Sequence, residues 1–182
     1  PVTVIGPTGG RSAPHFTADP DRIFTYGRAP AEGDVPFTVA LVSTRWDNTD
    51  LKTHLRVTRR MEIPMGPYQI QPHTDIVLPR DYEAEAREPR VPESSAGLVL
   101  MAPTGDRALA HIGRDIYVIT VPQVGGAPPV VQVLKPDSAS MPTVKLTDVG
   151  GEFPSWGPGG ATVHWAMAVS YTHLTLPTNR EV

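Results

Sequence analysis

Short runs of apolar and β-branched residues, separated by turn-forming residues, recur along the whole chain. Within residues 39–46, Leu41 and Ser43 alternate with Val42 and Thr44, a period of two that predicts a half-buried strand. Runs of the same kind predict further strands at residues 22–26, 52–58, 108–112, 115–121, 130–134 and 143–146. No stretch keeps the 3.6-residue spacing of a long helix, and only residues 81–87 predict one or two helical turns. The pattern therefore predicts an all-β fold.

Turn-forming residues join these predicted strands at defined places. The tetrad from Asp47 to Asp50 contains Asn and Asp residues, whose side chains bond their own backbone and tolerate left-handed conformations. Gly113 and Arg114 separate two predicted strands in a similar way. Both places predict β-hairpins, whereas residues 135–138 separate the last two predicted strands.

A repeated segment is the most informative feature of the chain. Residues 14–24 align without gaps on residues 154–164, and residues 101–108 form a weaker third copy. Each copy has an aromatic or large apolar residue, then a turn, then a short strand, and glycine pairs at 9–10 and 150–151 precede two copies. One such unit cannot bury its own faces, so we expect the units to stack radially or linearly.

Composition narrows the possible classes of function. Proline and glycine contribute 21 and 16 of the 182 residues, which leaves little room for long helices. A net charge of −3 gives no electrostatic reason to expect nucleic acid as a partner. The lack of cysteine excludes disulfides, thiolate metal sites and a cysteine nucleophile. No apolar run reaches the roughly 20 residues that span a bilayer, so no membrane span is expected.

Motifs that would support catalysis or cofactor binding are absent from the sequence. The six histidines never stand two or four residues apart, so no local metal-binding pair exists. The segment from Gly6 to Ser12 lacks the spacing and the lysine of a phosphate-binding loop and is interpreted as a turn. No serine lies in the Gly-x-Ser-x-Gly frame of a nucleophile elbow. We therefore assign no catalytic, cofactor-binding or metal-ligating residue to this chain.

Three further features are interpreted structurally. Trp46 and Asp47 match the dipeptide of WD-type propeller blades, and we expect Trp46 to pack between blades at the end of a strand. Arg59 and Arg60 are expected to be solvated loop charges. The same interpretation applies to the acidic residues Asp81, Glu83, Glu85 and Glu88.

The scheme Pro-x-Trp-x-Pro-x-Gly-x-x-Val-x-Trp at residues 154–165, preceded by Leu146-Thr147, resembles the signature of TolB-type β-propellers. More specifically, residues 14–17, 41–58, 108–126 and 146–165 resemble the N-terminal propeller that precedes the catalytic domain of bacterial metal-dependent amidohydrolases. These segments cover roughly half of the chain. The sequence departs from the pattern at Gly159, where Asp is usual, and in the proline-rich residues 61–95. We expect a partial propeller over residues 1–168, with an irregular insertion at about 61–95.

The resemblance implies a function for the larger protein. The propeller would be non-catalytic and would frame the active site of a following barrel domain, its intramolecular partner. The parent would be an amidohydrolase, a hydrolase of C–N bonds that uses zinc or another divalent metal, located in the periplasm or secreted. Two alternatives stay open: a TolB-like envelope propeller that binds protein partners through residues 61–90, and the gating propeller of a prolyl-oligopeptidase-like serine peptidase.

Both ends of the sequence favour a piece of a longer protein. Residues 1–5 read like the middle of a strand and include no initiator methionine or signal peptide. Residues 170–178 resemble a translated sequencing-library adapter, a contaminant found at the ends of metagenomic reading frames. We therefore expect residues 169–182 to be a non-native tail. A genuine C-terminal strand over residues 171–176 is the alternative.

Overall fold

A computed structural model describes residues 13–29, 39–60, 93–122, 127–167 and 170–176. Its elements are strands, with two single turns of 3₁₀ helix at Pro136–Ser138 and Pro158–Gly160, so the predicted all-β class is confirmed. The strands are β1 Arg22–Arg28, β2 Val39–Arg45, β3 Lys52–Arg60, β4 Glu93–Ser95, β5 Leu98–Met101, β6 Arg107–Ile112, β7 Asp115–Thr120, β8 Val130–Gln132, β9 Thr143–Lys145, β10 Glu152–Trp156, β11 Thr162–Met167 and β12 Ser170–Thr175. The predictions for residues 1–5, 6–12 and 81–87 lie outside the described residues.

The strands form three sheets that follow one another along the chain. The first has the order β1-β2-β3-β4, with β8 also paired to β3, the second β5-β6-β7-β9 and the third β10-β11-β12. Every neighbouring pair of strands is antiparallel except β3 with β8. We call them the first, second and third units, and the first unit includes the preceding residues 13–21. Each unit is an up-and-down meander, because sequential strands pair with each other.

The two predicted hairpins are present, and their turns use the expected chemistry. Asn48 and Asp50 take left-handed φ angles of 64° and 52° between β2 and β3, and Asp47 accepts a hydrogen bond from the Thr49 backbone N–H at 3.0 Å. Gly113, between β6 and β7, has φ 66°. Local turn residues thus fix both hairpins, since glycine, and among the other residues chiefly Asn and Asp, adopts such positive φ angles.

Strand β8, which follows β7 along the chain, runs parallel to β3 and extends the first sheet. Two expectations about the strands are corrected by the structure. The last residues of the predicted insertion form β4, which pairs with the end of β3. Arg59 and Arg60 lie within β3 and not in a loop, and Arg59 contacts Asp115 at 3.2 Å, so the expectation of solvated loop charges is wrong.

Strand β2 is buried on both faces, so the expectation of a half-buried strand is wrong. Leu41 and Ser43 are fully buried on one face, while Ala40 and Val42 are buried on the other. Leu41 belongs to the core shared with the second unit, and Ala40 and Val42 pack with Ala29. The polar residues of β2 are interior because they take part in a hydrogen-bond network described below.

The second sheet lies between its two neighbours. Ala108, Ala110 and Ile112 on one face of β6 join the core cluster of the first unit, whereas Leu109 on the other face joins the cluster of the third unit. Strand β7 alternates in the same way, since Tyr117 and Ile119 belong to the first cluster and Ile116 and Val118 to the second. The three units therefore stack face to face, which buries apolar area on both sides of the middle sheet.

The repeat recognised in the sequence has equivalent backbone pairing in the structure. In the gapless alignment His15 and Phe24 correspond to Ser155 and His164, and both pairs are antiparallel partners across the turn. The third copy pairs Met101 with Ala108 around a shorter loop. The repeat is thus a strand–turn–strand segment with a common register.

Candidate functional site

The turns of the three repeats lie side by side at one end of the stacked sheets. The backbone N–H of Ala18, in the first turn, donates to the carbonyl of Pro103 in the second at 2.7 Å. The Thr104 hydroxyl, also in the second turn, donates to the carbonyl of Gly159 in the third at 2.6 Å. The turns are therefore adjacent in chain order.

Two ring side chains connect the outer units to strand β5. His15 of the first unit accepts a hydrogen bond at Nε2 from the Met101 N–H at 2.8 Å, while its Nδ1 lies 2.7 Å from the Ala13 carbonyl. Trp156 of the third unit donates from Nε1 to the Leu100 carbonyl at 3.0 Å. Because Nε2 accepts, the proton of His15 lies on Nδ1, and the neutral ring fits its burial, which lowers its pKa.

An open cleft of about 650 Å³ lies between the first and second units. Its polar lining includes Arg22, Lys52 and His54, and its apolar lining includes Phe24 and Met101. Proline rings contribute a further part of the wall, at Pro103, Pro122, Pro128 and Pro129. We call this space the interunit cleft. It is the candidate functional site because charged, polar and apolar groups converge on one concavity.

A chain of hydrogen bonds centred on the buried residues Arg22 and Ser43 leads from an exposed turn to this cleft. Asp50 accepts from Arg22 Nη1 at 2.6 Å, and Arg22 Nε donates to Ser43 Oγ at 2.9 Å. Ser43 Oγ lies 2.7 Å from His54 Nε2. Ser43 Oγ accepts from Arg22 and has no acceptor among the described residues other than His54 Nε2, so its hydroxyl proton is directed there. The network therefore fixes the tautomer of His54, with the proton on Nδ1.

His54 occupies an irregularity in strand pairing. Val42 is opposite Thr53, and Leu41 is opposite Leu55, so His54 is the additional residue of a β-bulge. Bulges redirect side chains and are over-represented near functional sites. The ring packs against Phe24, with centroids 5.0 Å apart, and it lines the interunit cleft.

The electrostatic surroundings keep His54 uncharged at neutral pH. Burial lowers the pKa of His54 to about 4, and the positive charges of Arg22 and Lys52 act in the same direction. The Asp50 carboxylate partly offsets those charges, because it lies 2.6 Å from Arg22 Nη1 and 3.4 Å from Lys52 Nζ. Neutral His54 thus presents a hydrogen-bond donor, Nδ1–H, which has no acceptor among the described residues.

The serine and histidine of this network do not form a hydrolytic pair. Ser43 is 0% exposed, and its hydroxyl is engaged by both Arg22 and His54. A nucleophilic serine needs access to substrate and a base that is itself oriented by an acidic group. Here His54 is the last group of the hydrogen-bond network, and Ser43 is bonded to the Arg22 cation and not to an acidic group. The geometry suits binding better than acyl transfer.

The sequence placed Asp50 in a turn and Ser43 in a strand, but it did not indicate that they belong to one network with Arg22 and His54. Arg22, Ser43 and His54 fall in three different strands, and no motif marks them. The polar residues interrupting the otherwise apolar strands β1 and β2 were the available signal. Their meaning depends on which strands become neighbours.

Other residues considered from the sequence do not assemble into a site. His164 lies in the third sheet, stacked on His173 with centroids 5.8 Å apart. Within the parts of the chain that the structure describes, no three His, Asp or Glu residues are grouped so as to hold a metal. The prediction that this chain provides no metal ligands stays a prediction.

Trp46 does not pack between units as expected. Its side chain is 51% exposed and stacks on Phe16, which is 60% exposed, with ring centroids 5.8 Å apart. Its Nε1–H donates to the Pro20 carbonyl at 2.9 Å. All three residues belong to the first unit, so Trp46 secures the turn of its own unit and leaves an aromatic pair on the surface.

No protein-family model, no curated protein and no solved structure matches this chain. In the described ranges, no helix has the length and apolar character that crossing a bilayer requires.

Proposed function

We propose that this chain forms successive blades of a β-propeller and acts as a non-catalytic scaffold within a larger protein. The observation that supports this best is the alignment of the three repeat turns, through Ala18 with Pro103 and Thr104 with Gly159. Radially repeated meanders bring equivalent turns together in this way. The burial of the second sheet between two neighbours supports the same architecture.

The parent protein in this proposal is a metal-dependent amidohydrolase, as the sequence resemblance implies, in the periplasm or secreted. The blades would frame the mouth of the active site in a following barrel, whose catalytic residues lie on loops after the strands. Zinc or another divalent ion would be held by that domain, because the described residues of this chain contain no suitable group. This chain then contributes shape and rigidity, and no chemical step depends on it.

The gene sequence downstream of the Met167 codon is the first test. Further blades followed by a barrel with a His-x-His pair would support the amidohydrolase parent. A serine hydrolase domain would favour a gating propeller instead, and a stop codon after further blades would favour an envelope propeller. The same gene sequence tests residues 169–182. An adapter sequence in place of their codons would confirm a non-native tail, whereas native codons would support the strand β12 at Ser170–Thr175.

The framing role needs a separate experiment on the complete protein. Deletion of residues 13–167 should broaden the range of accepted substrate sizes or lower catalytic efficiency, because a docked propeller restricts access to the barrel. Unchanged activity, stability and substrate range would contradict the framing role while leaving the propeller architecture intact.

Partner binding is the second candidate, supported by the exposed aromatic pair of Phe16 and Trp46. Exposed aromatic residues are enriched in the cores of protein interfaces. The segment 61–90, to which the sequence assigned this role, lies outside the described residues. A pull-down from envelope extract with the wild-type chain, repeated with Phe16→Ser, should lose a specific partner if this surface binds it.

A further inference from the structure

We propose that the interunit cleft binds a small organic carboxylate with an apolar body, held by Lys52 and by the Nδ1–H of His54. Two observations identify the donors. Both residues line the cleft, and Nε2 of His54 is already occupied by the Ser43 hydroxyl. This proposal does not depend on whether the complete protein is a propeller or a hydrolase.

The hydrogen-bond network prepares His54 as a neutral donor. Asp50 pairs with Arg22, and Arg22 donates to the hydroxyl and the carbonyl of Ser43. The serine hydroxyl is thereby directed at Nε2, and the ring cannot flip without losing that bond. The β-bulge at His54 places the side chain against Phe24. The remaining donor is therefore fixed in position before a ligand arrives, which reduces the entropic cost of binding.

Among the charges in and beside the cleft, Lys52 is the one best placed to pair with an anionic ligand. Arg22 and Lys52 provide two positive charges in the lining, and Asp19 provides one negative charge. Arg22 is already paired with Asp50 at 2.6 Å, whereas Lys52 lies farther from that carboxylate, at 3.4 Å, and is more exposed. Lys52 is thus the cation best able to reach a ligand, through a charge-assisted hydrogen bond.

A metal cation does not suit the same place. Coordination by Nδ1 would require the proton to move to Nε2, which faces the Ser43 hydroxyl proton. The positive charges of Arg22 and Lys52, which already lower the pKa of His54, would also repel a divalent ion. An anion satisfies both the free N–H donor and the ammonium group.

The rest of the lining suits an apolar ligand body. Phe24, Met101 and four proline residues supply apolar surface, and about 650 Å³ is within the size range of small-molecule pockets. An acylated amino acid or the carboxyl end of a peptide combines one carboxylate with such a body. A phosphate ion lacks the apolar body.

Equilibrium dialysis of the whole chain tests the proposal, because it measures binding whether the protein is monomeric or associated. The probes are radiolabelled N-acetyl-phenylalanine and its uncharged amide. We expect saturable binding of the acid at one site per chain, with about tenfold weaker binding of the amide, since a charged hydrogen bond contributes on that scale. Equal binding of acid and amide, or no saturable binding, would overturn the proposal.

A matched pair of variants locates the site. Lys52→Gln should weaken binding of the acid about tenfold. Arg45→Gln is the control, because Arg45 contacts the same Asp50 carboxylate at 3.6 Å and is similarly exposed but does not line the cleft. It should leave affinity unchanged. An equal loss in both variants would show that only the general positive charge matters, and would overturn the assignment to the interunit cleft.

Discussion

Gly151 lies where the third unit meets the second, at a point without space for a side chain. A Cβ atom there would lie 2.5 Å from Trp165 Cδ1 and 2.9 Å from Ile116 Cδ1. Both neighbours are buried in the cluster between the two units. Glycine at this position is therefore required by the contact between units, so the second member of the glycine pair at 150–151 has a physical explanation.

We expect Gly151→Ala to lower the free energy of unfolding by about 3 kcal/mol, because overpacking displaces buried groups. Gly105→Ala is the control: its φ of 85° is left-handed, but no atom lies within 4 Å of the added Cβ. Backbone strain alone should cost it about 1 kcal/mol. Urea unfolding followed by tryptophan fluorescence measures both values. Equal losses would contradict the close packing at Gly151.

The buried histidines predict how stability depends on pH. The pKa of His54 is lowered to about 4 by burial and by Arg22 and Lys52, and burial also lowers the pKa of His15. Between pH 6.5 and 4 the unfolded chain binds protons that the folded chain excludes, so stability falls as the pH falls through this window. The pKa values of Asp47 and Asp50 are lowered from 3.8, so these carboxyl groups affect stability only at lower pH.

Urea midpoints measured at pH 7, 6 and 5 should therefore decrease for the wild-type chain. His54→Gln should show a smaller decrease, because the group that gains a proton on unfolding has been removed. The two proteins are compared by the slope of the urea midpoint against pH, so a loss of stability that is equal at every pH in the variant does not affect the result. An identical slope in the variant would contradict the neutral, buried state of His54.

At the scale of elements, single side chains connect one meander to the next. Strand β5 receives His15 from the first unit and Trp156 from the third. Asp115 on β7 likewise accepts from Arg59 on β3 at 3.2 Å. These contacts set the relative positions of the sheets, whereas apolar burial between them is less directional.

Trp156→Phe should lower stability by about 1 kcal/mol, since the ring remains but the hydrogen bond to the Leu100 carbonyl is lost. Trp46→Phe removes an equivalent bond, to the Pro20 carbonyl, at an exposed position within one unit. Trp46→Phe should lower the free energy of unfolding by less, because water can bond the exposed Pro20 carbonyl in place of the indole. Thermal unfolding of the two variants compares them, and an equal or smaller effect in Trp156→Phe would argue against a role in joining the units.

At the scale of the whole molecule, apolar residues remain exposed on edge strands of the second and third units and in the connection between them. Val144 on β9, Val149 in the connection and Phe153 on β10 are all exposed, Phe153 by 82%. Phe153 also has a left-handed φ of 53°, which is unfavourable for an aromatic residue. Exposed apolar groups beside a strand edge favour association between chains.

We expect the chain to self-associate in sedimentation velocity experiments at increasing concentration. Phe153→Asn should reduce this association without lowering stability, because asparagine tolerates the left-handed conformation and removes the apolar ring. A chain that stays monomeric and unfolds cooperatively at all concentrations would contradict the proposed set of open propeller blades.

Local features of the fold followed directly from the sequence. The Asp47 to Asp50 tetrad and Gly113 predicted their hairpins because turn conformation depends on the residues in the turn itself. The repeat likewise predicted equivalent strand–turn–strand segments, and proline and glycine content excluded long helices. These properties depend on residues that are close in sequence, so the chain specifies them before any packing occurs.

Contacts between distant segments were decided only by the tertiary structure. Arg22 and Ser43 are 21 residues apart and His15 and Met101 are 86 apart, and no periodicity encodes which of these meet. The parallel pairing of β8 with β3 and the burial of both faces of β2 depend in the same way on how the sheets stack. The interunit cleft arises from that stacking: single strands supply its polar groups, but only packed units bring Lys52 and His54 to face the second unit.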